Sequence, residues 1–435
     1  MNNFNMMVAL VGAVPLLLGL GSKWLAASPL PPTLVALGIG IALGPEGFGL
    51  IDLQKLGEQS SILEKAARLT LGISLVGVAL RIPRVFIRRN WREMLVLIGL
   101  GMLLMWAIST VLVYLILGLP FWLAALIGAI VTPTDPVASS PIVTGSVAEE
   151  NIPDRLRNAI SFESGANDGL GYLFVFLPFL MLTRPAGEAL SHWVLPTFLW
   201  DIGMATALGP LIGYTAAKLL QGSERHGAIQ SDWRLIYTAA LALFAIGAGR
   251  LIGSDEVLVA FAAGAAFTQV VSASERDNEE QGQEAINRFF VIPIIVLLGT
   301  ALPWKGWFEL GWSGVILAVA VLLLRRPPVL LLLRPLLPGI RGVPDALFLG
   351  WFGPVAVAAI YYASMMEHKL GNPVIWHVVS LVICSSILAH GVTGAPLTRL
   401  FGRKAGKRSA RKGADQASSI EAAGGRRAPI TGSAQ

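Results

Sequence analysis

The chain has 435 residues, of which 54% are hydrophobic and only 14% are charged, and its mean hydropathy is +0.66. Soluble domains carry about 25% charged residues, so this composition excludes a soluble globular protein and predicts a lipid bilayer around most of the chain. The net charge of +6 is local, because the segment from Arg399 onward holds nine Lys or Arg against two acids, and it indicates anionic lipid as a partner rather than nucleic acid.

A membrane-spanning helix needs about 20 mostly apolar residues, and this requirement predicts thirteen spans. In chain order they cover 7–26, 31–53, 64–82, 93–118, 121–143, 155–182, 194–220, 232–253, 256–272, 286–303, 312–336, 344–366 and 375–399. The first span could instead be a secretory signal peptide, but the positive n-region of such a peptide is absent. The polar composition of 403–435 predicts a basic, disordered cytoplasmic tail after a transmembrane domain over 1–402.

The distribution of Lys and Arg predicts which side of the membrane each loop faces, because these residues accumulate in cytoplasmic loops. The third loop, 81–92, has five arginines, whereas the next loop, 117–121, has no charged residue. With an odd number of spans, this alternation places the N-terminus outside and the basic C-terminus in the cytoplasm. We therefore expect a multi-pass protein of the cell (inner) membrane.

Prolines interrupt two of the predicted spans. The fifth span contains Pro133 and Pro136, and the twelfth contains Gly353-Pro354. Proline removes a backbone donor and moves the preceding residue out of the α-helical region, so both helices should unwind. The breaks are seven spans apart, and this odd offset predicts two inverted repeats, spans 1–6 and 8–13, whose unwound helices cross at an ion site. For either break alone, a proline kink without function is the alternative.

The candidate carboxylates inside predicted spans are Asp135 in the fifth, and Glu163 and Asp168 in the sixth. An acid at the centre of a span costs about 2.5–3.5 kcal/mol, and such residues are functional candidates by default. Asp168 shares a helix face with Ser164, so the two can offer hard oxygen ligands to a cation. Glu163 lies on the adjacent face and needs a compensating charge, which Arg326 in the eleventh span can supply.

Other polar residues in the spans are weaker candidates. Asp201 lies near the start of a span, where water can reach it. His390 is typical of a hydrogen-bonded packing residue. Arg325 and Arg334 are long side chains that can extend to the membrane interface, so their roles stay open.

These residues, in this order and spacing, resemble the monovalent cation:proton antiporters, specifically the electroneutral, NhaP-like sodium–proton branch. The resemblance covers about residues 5–400. Its most specific parts are Thr134-Asp135-Pro136 and Glu163-Ser164…Asn167-Asp168, supported by Arg326-Pro327, Phe352-Gly353-Pro354…Tyr361-Tyr362 and His390-Gly391.

The resemblance implies a role for each residue of this set. Asp168 is the ion- and proton-binding carboxylate, Ser164 and a main-chain carbonyl near Thr134 add ligands for Na⁺, Asp135 and Asn167 support the crossing, and Glu163 with Arg326 forms a structural ion pair. Electrogenic relatives usually carry a second acid at position 167, so Asn167 implies one-for-one exchange. The resemblance also implies a homodimer, with Na⁺ and H⁺ as transported ions and no cofactor.

The chain departs from the family pattern at Val355. Many members show Gly-Pro-Arg-Gly where this chain has Gly353-Pro354-Val355-Ala356, so the charge balance near the site is open. The sequence also leaves the cation open among Na⁺, Li⁺ and K⁺, and the alternatives are a K⁺/H⁺ antiporter and a cation channel. An intramembrane aspartyl protease would need a Gly-x-Gly-Asp motif, which the sequence lacks, so we do not expect an enzyme.

Overall fold

A computed structural model describes residues 2–27, 30–230, 233–271 and 273–424, and no β-strand occurs among them. The expected all-α fold is therefore confirmed. The main helices, numbered in chain order, are α1 (Asn2–Leu20), α2 (Pro32–Leu43), α3 (Gln59–Arg81), α4 (Arg84–Leu117), α5 (Phe121–Ile130), α6 (Asp154–Thr183), α7 (Ala186–Arg225), α8 (Trp233–Ile252), α9 (Glu256–Thr268), α10 (Ala273–Thr300), α11 (Trp304–Leu324), α12 (Pro327–Leu333), α13 (Val343–Trp351), α14 (Val357–Leu370) and α15 (Pro373–Gly424).

Within the described ranges, seven helices are long and apolar enough to cross a membrane. Four shorter apolar helices accompany them, at Val11–Leu20, Pro32–Leu43, Phe121–Ile130 and Glu256–Thr268. Large apolar side chains such as Leu211, Phe244 and Trp312 are exposed on the outside of the bundle, which suits a lipid solvent. The chain is thus a multi-span membrane protein, while the number thirteen and the inverted repeats stay predictions.

Glycines end two of the helices. Gly118 follows α4 with φ of 64°, and Gly371 follows α14 with φ of 62°. Glycine enters this left-handed region without a steric penalty, and each glycine N–H donates to the carbonyl four residues earlier, at 3.0 Å to Tyr114 and 2.8 Å to Glu367. The chain can therefore turn sharply into the next helix.

The fifth and twelfth predicted spans are broken in their middles. α5 ends at Ile130, and the backbone is irregular over 131–139, because Pro133 and Pro136 cannot donate helical hydrogen bonds. In the other span, irregular residues 352–356 separate α13 from α14 around Gly353-Pro354. Both interruptions lie where the prolines were expected to place them.

Close contacts at glycines fix two helix pairs. A Cβ atom on Gly40 of α2 would lie 2.2 Å from the Val296 carbonyl oxygen of α10, and one on Gly299 of α10 would lie 2.6 Å from a carbonyl oxygen of α2. A Cβ atom on Gly213 of α7 would lie 1.9 Å from the Ala263 carbonyl oxygen of α9. These backbones are so close that the α2–α10 and α7–α9 contacts leave no room for a side chain.

The last helix differs from the expectation for the tail. α15 continues to Gly424, past residue 402, where we expected an irregular segment to begin. Residues 425–435 lie outside the described residues. The division into a transmembrane domain and a tail at residue 402 stays a prediction.

Candidate ion-binding site

The two broken spans lie against each other. The Asp135 amide in the first break donates to the Pro354 carbonyl in the second at 2.8 Å. Both irregular segments are buried, with Thr132, Thr134 and Asp135 at most 1% exposed. Because buried backbone groups need partners, the side chains around these breaks must supply the hydrogen bonds that the helices cannot.

Asp135 supplies part of them. Its carboxylate accepts from the amides of Val137 at 2.8 Å and Ala138 at 2.9 Å, in its own segment. The other carboxylate oxygen accepts from the amide of Val357, the first residue of α14. A negative side chain at the start of a helix satisfies unpaired N–H groups and opposes the positive end of the helix dipole. Asp135 thus binds two amides within the first irregular segment and the first amide of α14.

Hydrogen bonds among Thr134, Ser164 and Asn167 connect α6 to the first break. Asn167 accepts from the Thr134 amide at 3.2 Å and donates to the Thr134 hydroxyl at 2.8 Å. The Thr134 hydroxyl is also 3.1 Å from the Ser164 hydroxyl. The structure therefore brings together the three residues that the sequence placed at the ion site beside Asp168.

Asp168 is fully buried, and neither of its carboxylate oxygens has a hydrogen-bond partner in the described part of the chain. Its main-chain carbonyl, in contrast, accepts from the Tyr362 hydroxyl at 2.6 Å. Three residues further along α6, a Cβ atom on Gly171 would lie 2.8 Å from the ring of Pro133, so this part of α6 packs on the first break. A buried carboxylate costs free energy unless it is paired, and the free oxygens of Asp168 are available to a proton or a cation.

Glu163 and Arg326 are in contact, as the sequence predicted. An Arg326 guanidinium nitrogen lies 2.6 Å from a Glu163 carboxylate oxygen, and both side chains are at most 1% exposed. The same guanidinium donates to the Leu349 carbonyl near the end of α13. The pair thereby links α6 to the segment in front of the second break.

Arg325 is buried, although its long side chain could have extended to the membrane interface. It is 2% exposed, and its guanidinium donates to main-chain carbonyls of the two breaks. The sequence signal for this burial was the position of Arg325 directly before Arg326-Pro327, deep in an apolar run. His390 has the packing role expected of it, with Nε2 2.8 Å from the Trp351 carbonyl oxygen and its ring near the Trp351 ring.

Two further buried acids, Asp255 and Glu256, were not singled out from the sequence. The Asp255 amide donates to the Asp201 carbonyl at 3.1 Å, and Asp201 is only half-buried. Glu256 is 3% exposed, and its carboxylate lies 3.1 Å from the Tyr361 hydroxyl and 3.4 Å from the Arg250 guanidinium. The sequence signal for these acids was their adjacent positions between two apolar spans. That pattern does not distinguish a loop from the buried start of a helix.

The sequence is similar to those of named transport proteins. The chain is 33% identical over 386 residues to a probable Na⁺/H⁺ antiporter of Schizosaccharomyces pombe, covering 82% of this chain and 51% of that one. It is 24% identical over 404 residues to the K⁺/H⁺ antiporter NhaP2 of Shewanella oneidensis, covering 92% and 67%. The chain spans about half the length, or less, of the fungal relatives that it matches at 30% identity or more.

A solved structure shares the fold. The sodium proton antiporter MjNhaP1 from Methanocaldococcus jannaschii, at pH 8, superposes with a TM-score of 0.72 and 18% sequence identity, covering 92% of this chain and all of that one. The family model for the transmembrane sodium/hydrogen exchanger matches residues 7–400. The chain therefore belongs to the sodium/hydrogen exchanger family, which is a family of transporters.

Proposed function

We propose that this protein exchanges Na⁺ or Li⁺ for H⁺, one for one, by alternating access at Asp168. The observation that carries the proposal is the carboxylate of Asp168, which is fully buried with no hydrogen-bond partner on either oxygen among the described residues. The hydroxyls of Ser164 and Thr134, 3.1 Å apart, and a main-chain carbonyl near Thr134 supply the further oxygen ligands.

Charge explains how one carboxylate couples two ions. Asp168 is neutral with a proton bound, and the site is equally neutral when the ionised carboxylate binds Na⁺. The empty, ionised site leaves an unpaired buried charge, which is the costly state. A transporter that changes its access only when the site is neutral therefore exchanges the two ions and does not leak either.

The ligand set favours a monovalent cation. Divalent cations such as Ca²⁺ are held in proteins by several carboxylates and carbonyls, whereas this site offers one carboxylate and hydroxyls. Position 167 holds an amide, and its oxygen and nitrogen are both engaged with Thr134. With no second acid at that position to titrate, each cycle moves one cation against one proton.

The test is a proton-flux assay in proteoliposomes with a pH-sensitive dye inside. Asp168→Asn should abolish Na⁺-driven proton movement, since an amide can neither ionise nor release a proton. Asp154→Asn is the matched control, because Asp154 lies on the same helix but its side chain is exposed, and it should retain wild-type flux. Na⁺-driven proton flux retained by Asp168→Asn would contradict the assignment.

The same vesicles distinguish the alternatives. A K⁺/H⁺ antiporter, suggested by the name of the Shewanella relative, would respond to a K⁺ gradient more strongly than to Na⁺ or Li⁺. A channel would carry cations without counter-movement of protons. An electroneutral exchanger gives the same rate with the membrane potential clamped at zero or at an imposed value, and a current would contradict one-for-one exchange.

We further infer that the protein lies in the cell (inner) membrane as a homodimer with a cytoplasmic C-terminus, and that 403–435 forms its basic tail. The arginine-rich loop 81–92 and the basic residues after 402 support this orientation, because Lys and Arg accumulate on the cytoplasmic side. A cysteine introduced at 372 should react with a membrane-impermeant thiol reagent in intact cells, whereas one at 88 should be protected on the cytoplasmic side. Crosslinking in native membranes should trap a dimer.

A further inference from the structure

Arg325 lies between α11 and α12, where the chain bends in front of Pro327. Its side chain is 2% exposed, and its charge meets main-chain carbonyls and no carboxylate among the described residues. Burying an unpaired charge is costly. The carbonyls around Arg325 must therefore be arranged to compensate for it.

Those carbonyls belong to both breaks. One terminal nitrogen of the guanidinium donates to the carbonyls of Thr132 and Pro133 at 3.2 Å, and to that of Val131. The other terminal nitrogen donates to the Gly353 carbonyl. The rigid fork of an arginine presents two nitrogens in fixed directions, which the single ammonium of a lysine cannot do. Arg325 is thus one group that holds two unwound segments.

The first three carbonyls follow the end of α5, and the fourth follows the end of α13. Helix carboxyl ends carry unpaired carbonyls and the negative end of the helix dipole. Asp135 performs the complementary task for backbone amides, one within the first break and one at the start of α14. One buried cation and one buried anion therefore bind backbone carbonyls and amides, respectively, of both broken spans.

These contacts also reach the ion site. Pro133 precedes Thr134, whose amide and hydroxyl join Asn167 and Ser164 beside Asp168. The residue directly after Pro354 of the second break is Val355, which carries no charge. A guanidinium reaches this break all the same, from the neighbouring helix.

We propose that Arg325 is a positioning residue of the cation site: it binds the first residues of both irregular segments together and so fixes the oxygen ligands at Thr134. The proposal rests on the proposed function for its effect on cation affinity. Its structural part, that one side chain joins the two breaks, stands independently of transport.

The first measurement is hydrogen–deuterium exchange of the purified, full-length protein. Arg325→Gln should speed exchange in peptides covering 131–139 and in those covering 352–357, since both segments lose a partner. Arg334→Gln is the control: Arg334 is nearby in sequence and partly exposed, and this variant should match wild type. Faster exchange at one break only, or at neither, would overturn the proposal.

The second measurement is the apparent KM for Na⁺ in proteoliposomes, normalised to the amount of folded protein. Arg325→Gln should raise KM at least about tenfold, the effect of losing one hydrogen bond to a charged group. Arg325→Lys keeps the charge but cannot serve both breaks, so its KM should lie between wild type and Arg325→Gln. The KM of Arg334→Gln should stay within about twofold of the wild-type value, which is a smaller effect than the loss of one ordinary hydrogen bond.

A role in folding alone would lower the yield of folded protein and leave KM unchanged, and that result would refute the positioning role. If Arg325→Gln does not fold, Arg325→Lys decides: a wild-type KM together with wild-type hydrogen exchange at both breaks overturns the proposal. If wild type shows no Na⁺-driven proton flux, the proposed function fails, and hydrogen exchange alone decides whether Arg325 joins the breaks.

Discussion

Replacing Glu163 by glutamine removes one charge from the buried pair with Arg326 and changes little else in size. The two charged groups are 2.6 Å apart, and both side chains are at most 1% exposed. The Nε atom of Arg326 has no hydrogen-bond partner in the described structure, so the guanidinium depends on Glu163 for its compensating charge. Breaking such a pair typically costs about 3–5 kcal/mol, because the remaining charge stays buried.

The free energy of unfolding should fall by that amount in Glu163→Gln and in Arg326→Gln. In the double variant both charges are gone, so its loss should be smaller than the sum of the single losses by about 3 kcal/mol, within the usual range of coupling energies. The assay is unfolding by sodium dodecyl sulfate in mixed micelles, followed by tryptophan fluorescence.

The chain offers a matched control with the same distance but different burial. Asp154 and Arg157 are also 2.6 Å apart, and the Asp154 side chain is 80% exposed. Exposed pairs contribute about 0–1 kcal/mol, so Asp154→Asn should have little effect. If Glu163→Gln is no more destabilising than Asp154→Asn, burial does not set the strength of these pairs and our reasoning is wrong.

Two further predictions concern the second break and the surface. Gly353→Ala places a Cβ atom 2.5 Å from the Arg326 side chain and 2.9 Å from Thr134, so it should destabilise the fold by about 1–3 kcal/mol and lower exchange; thermal unfolding that matches wild type would contradict this. Outside the spans, the hydrogen bond from His368 lowers the pKa of Glu58 below its usual 4.5. This contact therefore stabilises the fold above about pH 4.5, and its contribution is lost as the pH falls through the lowered pKa. Glu58→Gln should then weaken the acid dependence of the melting temperature between about pH 5 and 3. An unchanged acid dependence in this variant would contradict the prediction.

Much of the fold follows from local chemistry. Apolar runs of about 20 residues predict spanning helices, and the prolines at 133, 136 and 354 predict the interruptions without any knowledge of neighbouring helices. The Glu163–Arg326 contact was also predictable, because a buried acid needs a buried cation and few cations lie inside the spans.

What the sequence could not predict depends on packing. Whether Arg325 extends to the interface or turns inward is decided by the bend at Pro327 and by carbonyls that come from two distant breaks. Burial of Glu256 depends on Tyr361, 105 residues away. The disordered tail expected after residue 402 rests on composition alone and stays a prediction, and α15 is helical as far as Gly424.

The glycine contacts between helices have a consequence for how this sequence can vary. At Gly213 and Gly40 even the methyl group of alanine would overlap a carbonyl oxygen of the opposing helix. A substitution there cannot be absorbed by rotating a side chain, because backbone atoms form both sides of the contact. The α7–α9 and α2–α10 pairs should therefore tolerate almost no mutation at these points, and a saturation library selected for folded protein would return glycine at both positions.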